Sequence, residues 1–376
     1  MPTLTRRRLS AGAWRAWRGG AGAPILAGRD ALIAGVHKPT PETTGAYLKP
    51  GESYTEVGSG AQMTLSPGTY RNRVFLGAVN FTVGSGAYLF ERCIFAGNDP
   101  GNSTDENFTG SSGGSVVKNS GSSEPKQAVT MVDCTIDPGY WMTVKGRDRI
   151  WPELNGIFGG NFTVRRCIIK NTCDGVGINA HNYGFTLELS ILHTGTYATG
   201  PENTGQSDQR THNDGIQFHT GKNIVIRGNV IGYDETEPDE AKRSRHMAGY
   251  QVAFDDGYNS GHDYENSCFM IKQESGTAAN QTIENVVIEQ NWIYGGLCGI
   301  NFFYEPSRPN RFGSTVVRNN RFGRRQAGWG VTRRMSGELT SSNGGNGWYF
   351  LKSAQIDATI TGNVFEDTGL PIPISG

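Results

Sequence analysis

The chain has 376 residues, and 53 of them are glycine, about twice the roughly 7% share that is typical of proteins. Lysine and arginine together number 35, as do aspartate and glutamate, so the formal net charge at neutral pH is zero. A neutral chain is not a uniformly basic nucleic-acid binder, and no net charge draws it to an anionic membrane. The sequence has no run of about 18 apolar residues, so it predicts no membrane-spanning helix.

The N-terminal segment is basic, with five arginines and no acidic residue in its first 20 residues. Arg6–Arg8 resembles the start of a twin-arginine export signal, but Trp14 and Arg15 interrupt the apolar stretch that such a signal needs. We therefore expect no signal peptide, which argues against a secreted bacterial binding module. Residues 1–45 are predicted to be an attachment segment. They either stay disordered in the free protein or fold onto a larger assembly.

The six cysteines form no Cys-X-X-Cys pair, so the sequence predicts no structural zinc site and no other metal or cofactor. Cys93, Cys134 and Cys167 occupy equivalent positions of the repeat described next. Equivalent positions in stacked units favour buried free thiols over disulfides.

A six-residue pattern recurs eight times, and its first and sixth positions are apolar in every copy. In chain order the copies are FERCIF (90–95), MVDCTI (131–136), VRRCII (164–169), LELSIL (187–192), IRGNVI (226–231), IEQNWI (288–293), VRNNRF (317–322) and ITGNVF (360–365). Self-similar segments of this kind indicate a repeat architecture in which each unit packs against its neighbours.

The second position of the pattern tests whether the copies are aligned. It holds, in order, Glu91, Val132, Arg165, Glu188, Arg227, Glu289, Arg318 and Thr361. From Arg165 to Arg318 the sign of the charge alternates through five successive copies. If the copies stack about 4.8 Å apart, each charge lies between opposite charges. The pattern therefore predicts one column in register, unless the alternation arose by chance.

The fourth position changes from cysteine to serine to asparagine along the chain. It holds Cys93, Cys134, Cys167, Ser190, Asn229, Asn291, Asn320 and Asn363. We expect asparagine here because it tolerates the left-handed backbone of a sharp corner. Stacked asparagine amides can also form a hydrogen-bonded ladder along the axis. Both roles predict a corner that all copies share.

A second strand precedes several copies, for example at 175–180, 215–219, 268–272, 299–303 and 348–352. Apolar side chains alternate with others in these segments, as at Ile216 and Phe218. Short strands, glycine-rich corners and asparagine ladders predict an all-β fold, a right-handed parallel β-helix. We expect it to span 46–376, with an N-terminal cap and about eight or more coils.

The extra length follows the repeat by a few residues each time, at 97–127, 137–153, 195–211, 232–266 and 323–346. Insertions at one equivalent corner project from one side of a solenoid, so one flank is predicted to carry the loops. Aromatic residues of these loops either stack on sugar rings or a protein partner, or pin their own loops to the column. They include Tyr140, Trp141, Trp151, Tyr304 and Trp329.

The segment HNDGIQFHTGKNIVIRGNVI (212–231) resembles the Asn-X-Asp-Gly strand of polygalacturonases and their β-helix relatives. The resemblance implies a catalytic carboxylate at Asp214, which would need a second carboxylate as its partner. The family's Gly-Asp-Asp-Cys strand is matched here by a segment with Asn266 and Ser267 in place of the aspartates. Its Gly-His-Gly is matched by 297–299, Leu-Cys-Gly, without the histidine. Polygalacturonase-type hydrolysis is therefore not expected, and whether the chain is an enzyme stays open.

Two sets of residues complete the predicted site. In the enzyme alternative, a polysaccharide lyase or hydrolase, the loop residues Asp255, Asp256 and His262 lie over Asp214 and restore the missing groups. In the binding alternative, a polar strip contacts a glycan or, less readily, a cation. The strip consists of Asn179, His181, His212, Asp214, Gln217, His219 and Lys272. It is otherwise a solvated surface that fixes the adjacent loops.

A wider resemblance covers about residues 200–365. HNDGIQ, MIKQ (270–273), IENVVIEQNWIYGG (283–296) and the closing TGNVF resemble β-helix proteins that actinobacterial phages encode and that also occur in their hosts. In phages these are tail-associated proteins. The resemblance implies a minor tail or tail-spike-like protein on the outer face of a virion, with recognition of a host-envelope glycan or contacts to other tail proteins. The N-terminal arm is the expected attachment point, and a homotrimer is one expected assembly.

Overall fold

A computed structural model describes residues 29, 31–82, 86–101, 114–119, 127–147, 151, 154–180, 183–193, 214–232, 267–272, 283–294, 298–303, 312, 314–323, 350–351 and 357–372. Within these ranges the chain forms 27 strands and one short helix, α1, at Tyr140–Thr143. In this part of the chain no helix is long and apolar enough to cross a membrane.

The strands form three parallel stacks, which we call sheets A, B and C. Sheet A contains β1 (Thr55–Val57), β4 (Arg73–Phe75), β7 (Ile94–Phe95), β10 (Thr135–Ile136), β13 (Ile168–Lys170), β16 (Ile191–His193), β18 (Val230–Ile231), β21 (Trp292–Ile293), β24 (Arg321–Phe322) and β27 (Val364–Phe365).

Sheet B contains β2 (Met63–Leu65), β5 (Val79–Phe81), β8 (Ser115–Asn119), β11 (Asn155–Gly159), β14 (Val176–Asn179), the first half of β17 (Asp214–Arg227), β19 (Ser267–Lys272), β22 (Cys298–Phe303) and β25 (Phe350–Leu351). Sheet C contains β3 (Gly68–Arg71), β6 (Ala87–Glu91), β9 (Ala128–Val132), β12 (Phe162–Arg165), β15 (Phe185–Glu188), the second half of β17, β20 (Ile283–Glu289), β23 (Thr315–Arg318) and β26 (Thr359–Thr361).

The chain visits the sheets in the order B, C, A and then rises to the next coil. Each strand pairs in parallel with the equivalent strand of the coil above and the coil below, as β14 does with β11 and β17. The fold is therefore an all-β parallel solenoid, as the repeat predicts, and it is compatible with a β-helix. The handedness of the coil stays a prediction.

Sheet C meets sheet A at a corner of only one or two residues, the C–A corner, and the third position of the repeat makes this turn. All eight copies have a positive φ at that position: Arg92, Asp133, Arg166, Leu189, Gly228, Gln290, Asn319 and Gly362. The prediction that the fourth-position asparagine adopts the left-handed backbone is therefore wrong. The third-position residue makes the turn, so the fourth side chain can form hydrogen bonds along the solenoid axis.

The fourth-position ladder itself is confirmed. The backbone N–H of Asn229 donates to Asn291 Oδ1 at 2.9 Å, and that of Asn291 donates to Asn320 Oδ1 at 2.9 Å. The same bond joins Asn320 to Asn363 at 3.0 Å, and each of these four asparagines is buried. Cys93, Cys134 and Cys167 continue the column as buried free thiols. Burial raises the pKa of the Cys134 thiol well above its usual value.

The predicted charge column is also confirmed by the strand register. Arg165 lies opposite Glu188, Glu188 opposite Arg227, Arg227 opposite Glu289, and Glu289 opposite Arg318. Ion pairs join Arg227 to Glu188 and Arg318 Nε to Glu289 Oε2, the latter at 2.8 Å. The column begins one coil earlier than the eight copies indicated. Residues 70–75, YRNRVF, form a ninth copy, whose arginine at 71 pairs with the glutamate at 91.

Residues 31–52 lie along the C–A corner, and we call them the strap. The backbone N–H of Gly45 donates to Arg166 O at 2.8 Å, and Arg321 donates to Gly35 O at 2.8 Å. Lys38 and Glu366 form an ion pair at 3.7 Å. Residues 31–45 of the predicted attachment segment thus contact the solenoid of their own chain. Attachment through residues 1–45 stays a prediction.

Candidate site at the A–B corner

The corner between sheets A and B, the A–B corner, holds the long connections of the solenoid. Residues 96–114, 137–154, 194–213, 232–266 and 323–349 each join a strand of sheet A to the next strand of sheet B. The predicted insertions therefore start at one equivalent corner. Two of them are less irregular than expected, because 97–127 includes β8 and 137–153 includes α1.

Asp214 is the first residue of β17, at this corner. Only 2% of it is exposed, and the register places it opposite Ser267 of β19. Its backbone N–H donates to Asp174 Oδ1 at 2.9 Å, and its carbonyl accepts from the N–H of Gly175 at 3.1 Å. The structure thus brings a second carboxylate, that of Asp174, next to Asp214.

The sequence interpretation missed Asp174, although a signal for it was present. Asp174 and Asp214 are each followed by glycine and then by an apolar alternating strand, in DGVGI (174–178) and DGIQF (214–218). The glycine at 215 is required because a Cβ there would lie 2.6 Å from the carbonyl oxygen of Cys268. An Asp-Gly pair therefore marks the same point of two successive coils.

Asp174, Asp214 and Ser267 stack on three successive coils, and we call them the corner column. Counting back from Val176 opposite Ile216 puts Asp174 opposite Asp214. Neighbouring strands lie about 4.8 Å apart, so the backbones at Asp174 and Asp214 are separated by about one strand spacing. Asp174 is half-buried, whereas Ser267 is fully buried. The hydroxyl of Ser267 has no hydrogen-bond partner within the described part of the chain.

The predicted polar strip is only partly within the described residues. Along β17, Asp214 alternates in step with the buried Ile216 and Phe218, whereas Gln217 and His219 take the half-buried alternate positions. Asn179 accepts a hydrogen bond from the hydroxyl of residue 220, at 3.1 Å. The structure therefore groups Asp214 with the corner column rather than with Gln217 and His219.

The outer side of sheet B carries a small polar and aromatic surface next to the corner. We call it the sheet B platform, made of Phe158, Gly177, Gln217 and His219. The His219 ring packs edge-on to the Phe158 ring, with centroids 5.3 Å apart. A Cβ at Gly177 would lie 2.6 Å from Phe158 Cδ2, so the absence of a side chain at Gly177 makes room for that ring.

Several predicted site residues are not placed. His181, His212, Asp255, Asp256 and His262 lie outside the described residues. Lys272 ends β19, but its side chain is likewise not described.

Two of the loop aromatics fit the alternative in which they anchor their own loop. Tyr140 and Trp141 of α1 are buried, and Trp141 Nε1 donates to the carbonyl of Gly97 at 3.0 Å. Tyr140 donates to Glu56 Oε1 at 3.1 Å, and burial raises the pKa of Tyr140 to about 12. Tyr304 and Trp329 lie outside the described residues.

A metal site finds no support in the described ranges, where no group of three or more His, Cys, Asp or Glu side chains is placed to hold an ion. The chemistry available at the corner column is that of two carboxyl groups and one hydroxyl. Carboxyl groups donate or accept protons, and all three groups can form hydrogen bonds, but Asp214 and Ser267 are buried.

Comparison with protein-family models, with curated proteins and with solved structures finds no match for this chain.

Proposed function

We propose that this chain is a virion tail component whose A–B corner binds an extended glycan of a host-cell envelope. The observation that carries the proposal is the unequal use of the corners. Long connections leave the A–B corner repeatedly, whereas the C–A corner turns in one or two residues and is covered by the strap. Loops on a rigid scaffold commonly carry recognition, so the A–B corner is the preferred ligand side.

The sheet B platform has the composition of a sugar-binding surface. An aromatic ring offers a flat apolar face, and amide and imidazole groups beside it can bond to hydroxyls. Phe158, Gln217 and His219 are all half-buried, so part of each side chain is accessible. The platform lies on the outer side of sheet B next to the A–B corner, so a glycan that runs along sheet B can contact it together with the loops of that corner.

The virion role rests on the resemblance of the 200–365 region to phage tail-associated proteins. In this proposal the chain before the strap attaches the solenoid to other tail proteins, and the homotrimer belongs to the same proposal. A chain that lacks residues 1–28 keeps the strap intact. We expect it to bind glycan normally and to be lost from assembled virions. Normal incorporation would contradict the attachment role.

The glycan proposal is tested with the purified full-length chain. Insoluble peptidoglycan is used in sedimentation assays, and soluble arabinogalactan and polygalacturonate are titrated by calorimetry. We expect at least one of the three to bind, and Phe158→Ala to weaken binding at least tenfold through loss of the stacking face. Thr163→Ala, an exposed change on sheet C, is the matched control and should bind as the unaltered chain does.

Melting curves of both variants establish that they are folded. Absence of binding to all three polysaccharides would overturn the proposal. Equal loss of binding in the sheet B and sheet C variants would also overturn it, because the ligand would then not be located at sheet B.

A further inference from the structure

The strap contacts coils that are not neighbours of one another. Near its C-terminal end, Glu52 Oε1 accepts a hydrogen bond from Arg92 Nη2 at 3.1 Å, in the coil of the copy at 90–95. Near its middle, Lys38 forms the ion pair with Glu366, which directly follows the copy at 360–365. The coils of a solenoid otherwise contact only the coils directly above and below them. One short segment therefore joins the second coil to the last described coil.

The N-terminal half of the strap fits closely against the later coils. A Cβ at Gly228 would lie 2.6 Å from Ala34 Cβ, and a Cβ at Gly35 would lie 2.9 Å from Gln290 Cδ. The carbonyl of Gly35 accepts the hydrogen bond from Arg321 at 2.8 Å. The strap thus contacts three successive later coils on its way to the last one.

The position of the strap is fixed by Arg29, which directly precedes it and is only 4% exposed. The guanidinium of Arg29 donates to Asp133 Oδ1 at 3.3 Å and to the carbonyls of Thr44 and Gly45, each at 2.9 Å. Thr44 and Gly45 lie on the returning half of the strap, so one side chain holds both halves to the copy at 131–136. A buried charge that loses its partner is strongly destabilising. The placement of the strap therefore depends on Asp133.

The last described coil buries little of its own surface. Thr359 and Thr361 of β26 are exposed, and Val364 and Phe365 of β27 are only half-buried. Regions with few buried contacts open locally at a low cost in free energy. The contact of the strap with Glu366 attaches this coil to earlier coils as well as to its neighbour.

We propose that the strap holds the last coil closed, and that Asp133 acts on that coil through Arg29. The copy at 360–365 lies six coils beyond the copy at 131–136. If coils communicated only through their neighbours, a change at Asp133 would affect the adjacent coils alone. If the strap couples them, the same change also frees the last coil. This inference uses neither the glycan nor the virion, so it stands or fails independently of the proposed function.

Hydrogen exchange of the full chain, followed by mass spectrometry, measures the opening of each coil. Lys38→Gln removes the ion pair of the strap with Glu366, and Asp133→Asn removes the charged partner of Arg29. Each change should speed exchange across 359–372 at least about tenfold, while exchange across 214–219 stays within about twofold. The two effects should not add in the double variant, because either change alone already frees the coil.

Arg166→Gln is the matched control, because it removes the other ion pair of Asp133 and leaves that of Arg29. It should leave exchange across 359–372 unchanged. Melting curves establish that each variant is folded, and Arg29→Gln replaces Asp133→Asn if that variant does not fold. Unchanged exchange across 359–372 in the variants of Lys38 and Asp133 would overturn the inference. Acceleration of the same size in Arg166→Gln, or full addition of the two effects in the double variant, would overturn it as well.

Discussion

The C–A and A–B corners of the solenoid both turn the chain from one sheet to the next, but they differ in the length and regularity of their connections. At the C–A corner the first coil turns through one left-handed residue, and each of the next eight turns through a left-handed residue and a buried ladder residue. At the A–B corner the connection runs from 76–78 between β4 and β5 to 232–266 between β18 and β19. The regular corner sets the register of the column. Because the C–A corner already sets the register, the A–B connections can vary in length while the strands stay paired.

The largest effect is expected from equal insertions at the two corners. Gly-Gly-Ser-Gly placed between Gly228 and Asn229 separates the left-handed residue from the ladder and breaks the axial hydrogen bonds, so we expect no soluble folded protein. The same insertion between Gly232 and Tyr233 extends a connection that is already long, and it should change the melting temperature by less than about 2 °C. Equal tolerance of both insertions would remove the distinction between the corners.

A single ladder residue gives a smaller effect. Asn291→Ala removes the acceptor of the Asn229 backbone N–H and leaves that buried donor unpaired. We expect the free energy of unfolding to fall by about 2–4 kcal/mol, measured by urea denaturation. Thr163→Ala, exposed on sheet C, should cost less than about 0.5 kcal/mol and serves as the control. A loss below about 1 kcal/mol at Asn291 would contradict the role of the ladder.

The backbone of the C–A corner can be tested separately from its side chains. Asn319 is exposed and has φ of 56°, a conformation that asparagine and glycine tolerate better than alanine. Asn319→Ala should therefore lower stability by about 1 kcal/mol, whereas Asn319→Gly should have little net effect. Both variants are compared by thermal denaturation. A more stable alanine variant would show that the left-handed residue is not what shapes this corner.

The smallest effect concerns how the A–B connections are held. A hydrogen bond from Lys145 lowers the pKa of Glu56, so this contact stabilises the folded chain above the ordinary pKa of a glutamate and weakens as the pH falls through the folded value. Glu56→Gln should remove that part of the pH dependence, at a cost of about 0.5 kcal/mol or less at pH 7. Denaturation of both chains at pH 7 and pH 4 measures it. If the two chains differed more in free energy of unfolding at pH 4 than at pH 7, the predicted direction of the pH dependence would be contradicted.

The regular corner could be predicted from the sequence because each of its coils repeats the same short pattern. The alternating charges from Arg165 to Arg318 gave the correct register, and the fourth-position residues gave the correct buried ladder. The sequence pattern predicts the left-handed residue one position too late. Asparagine tolerates that backbone, but here arginine, aspartate, leucine and glutamine adopt it as well, so residue type alone could not locate it.

The candidate site was less predictable because it depends on which coils stack. Asp214 was found through a local motif, but its neighbour Asp174 precedes it by a long connection, and only the register of β14 with β17 brings the two together. Ser267 stands where polygalacturonases have an aspartate, and the structure makes it the third member of the corner column. Repeat patterns predict a column well, but they do not show which side chains become neighbours across long insertions.

The central claim is that the A–B corner carries the function, and removing one of its connections tests it most directly. Residues 171–173 connect β13 to Asp174, and residues 233–266 lead to Ser267, which has the same register position as Asp174 in another coil. The short segment 171–173 can therefore replace 233–266 without changing the strand register. We predict that the shortened chain melts within about 2 °C of the unaltered one and binds peptidoglycan, arabinogalactan or polygalacturonate at least tenfold more weakly. A shortened chain that is folded and binds as tightly as before would contradict the account.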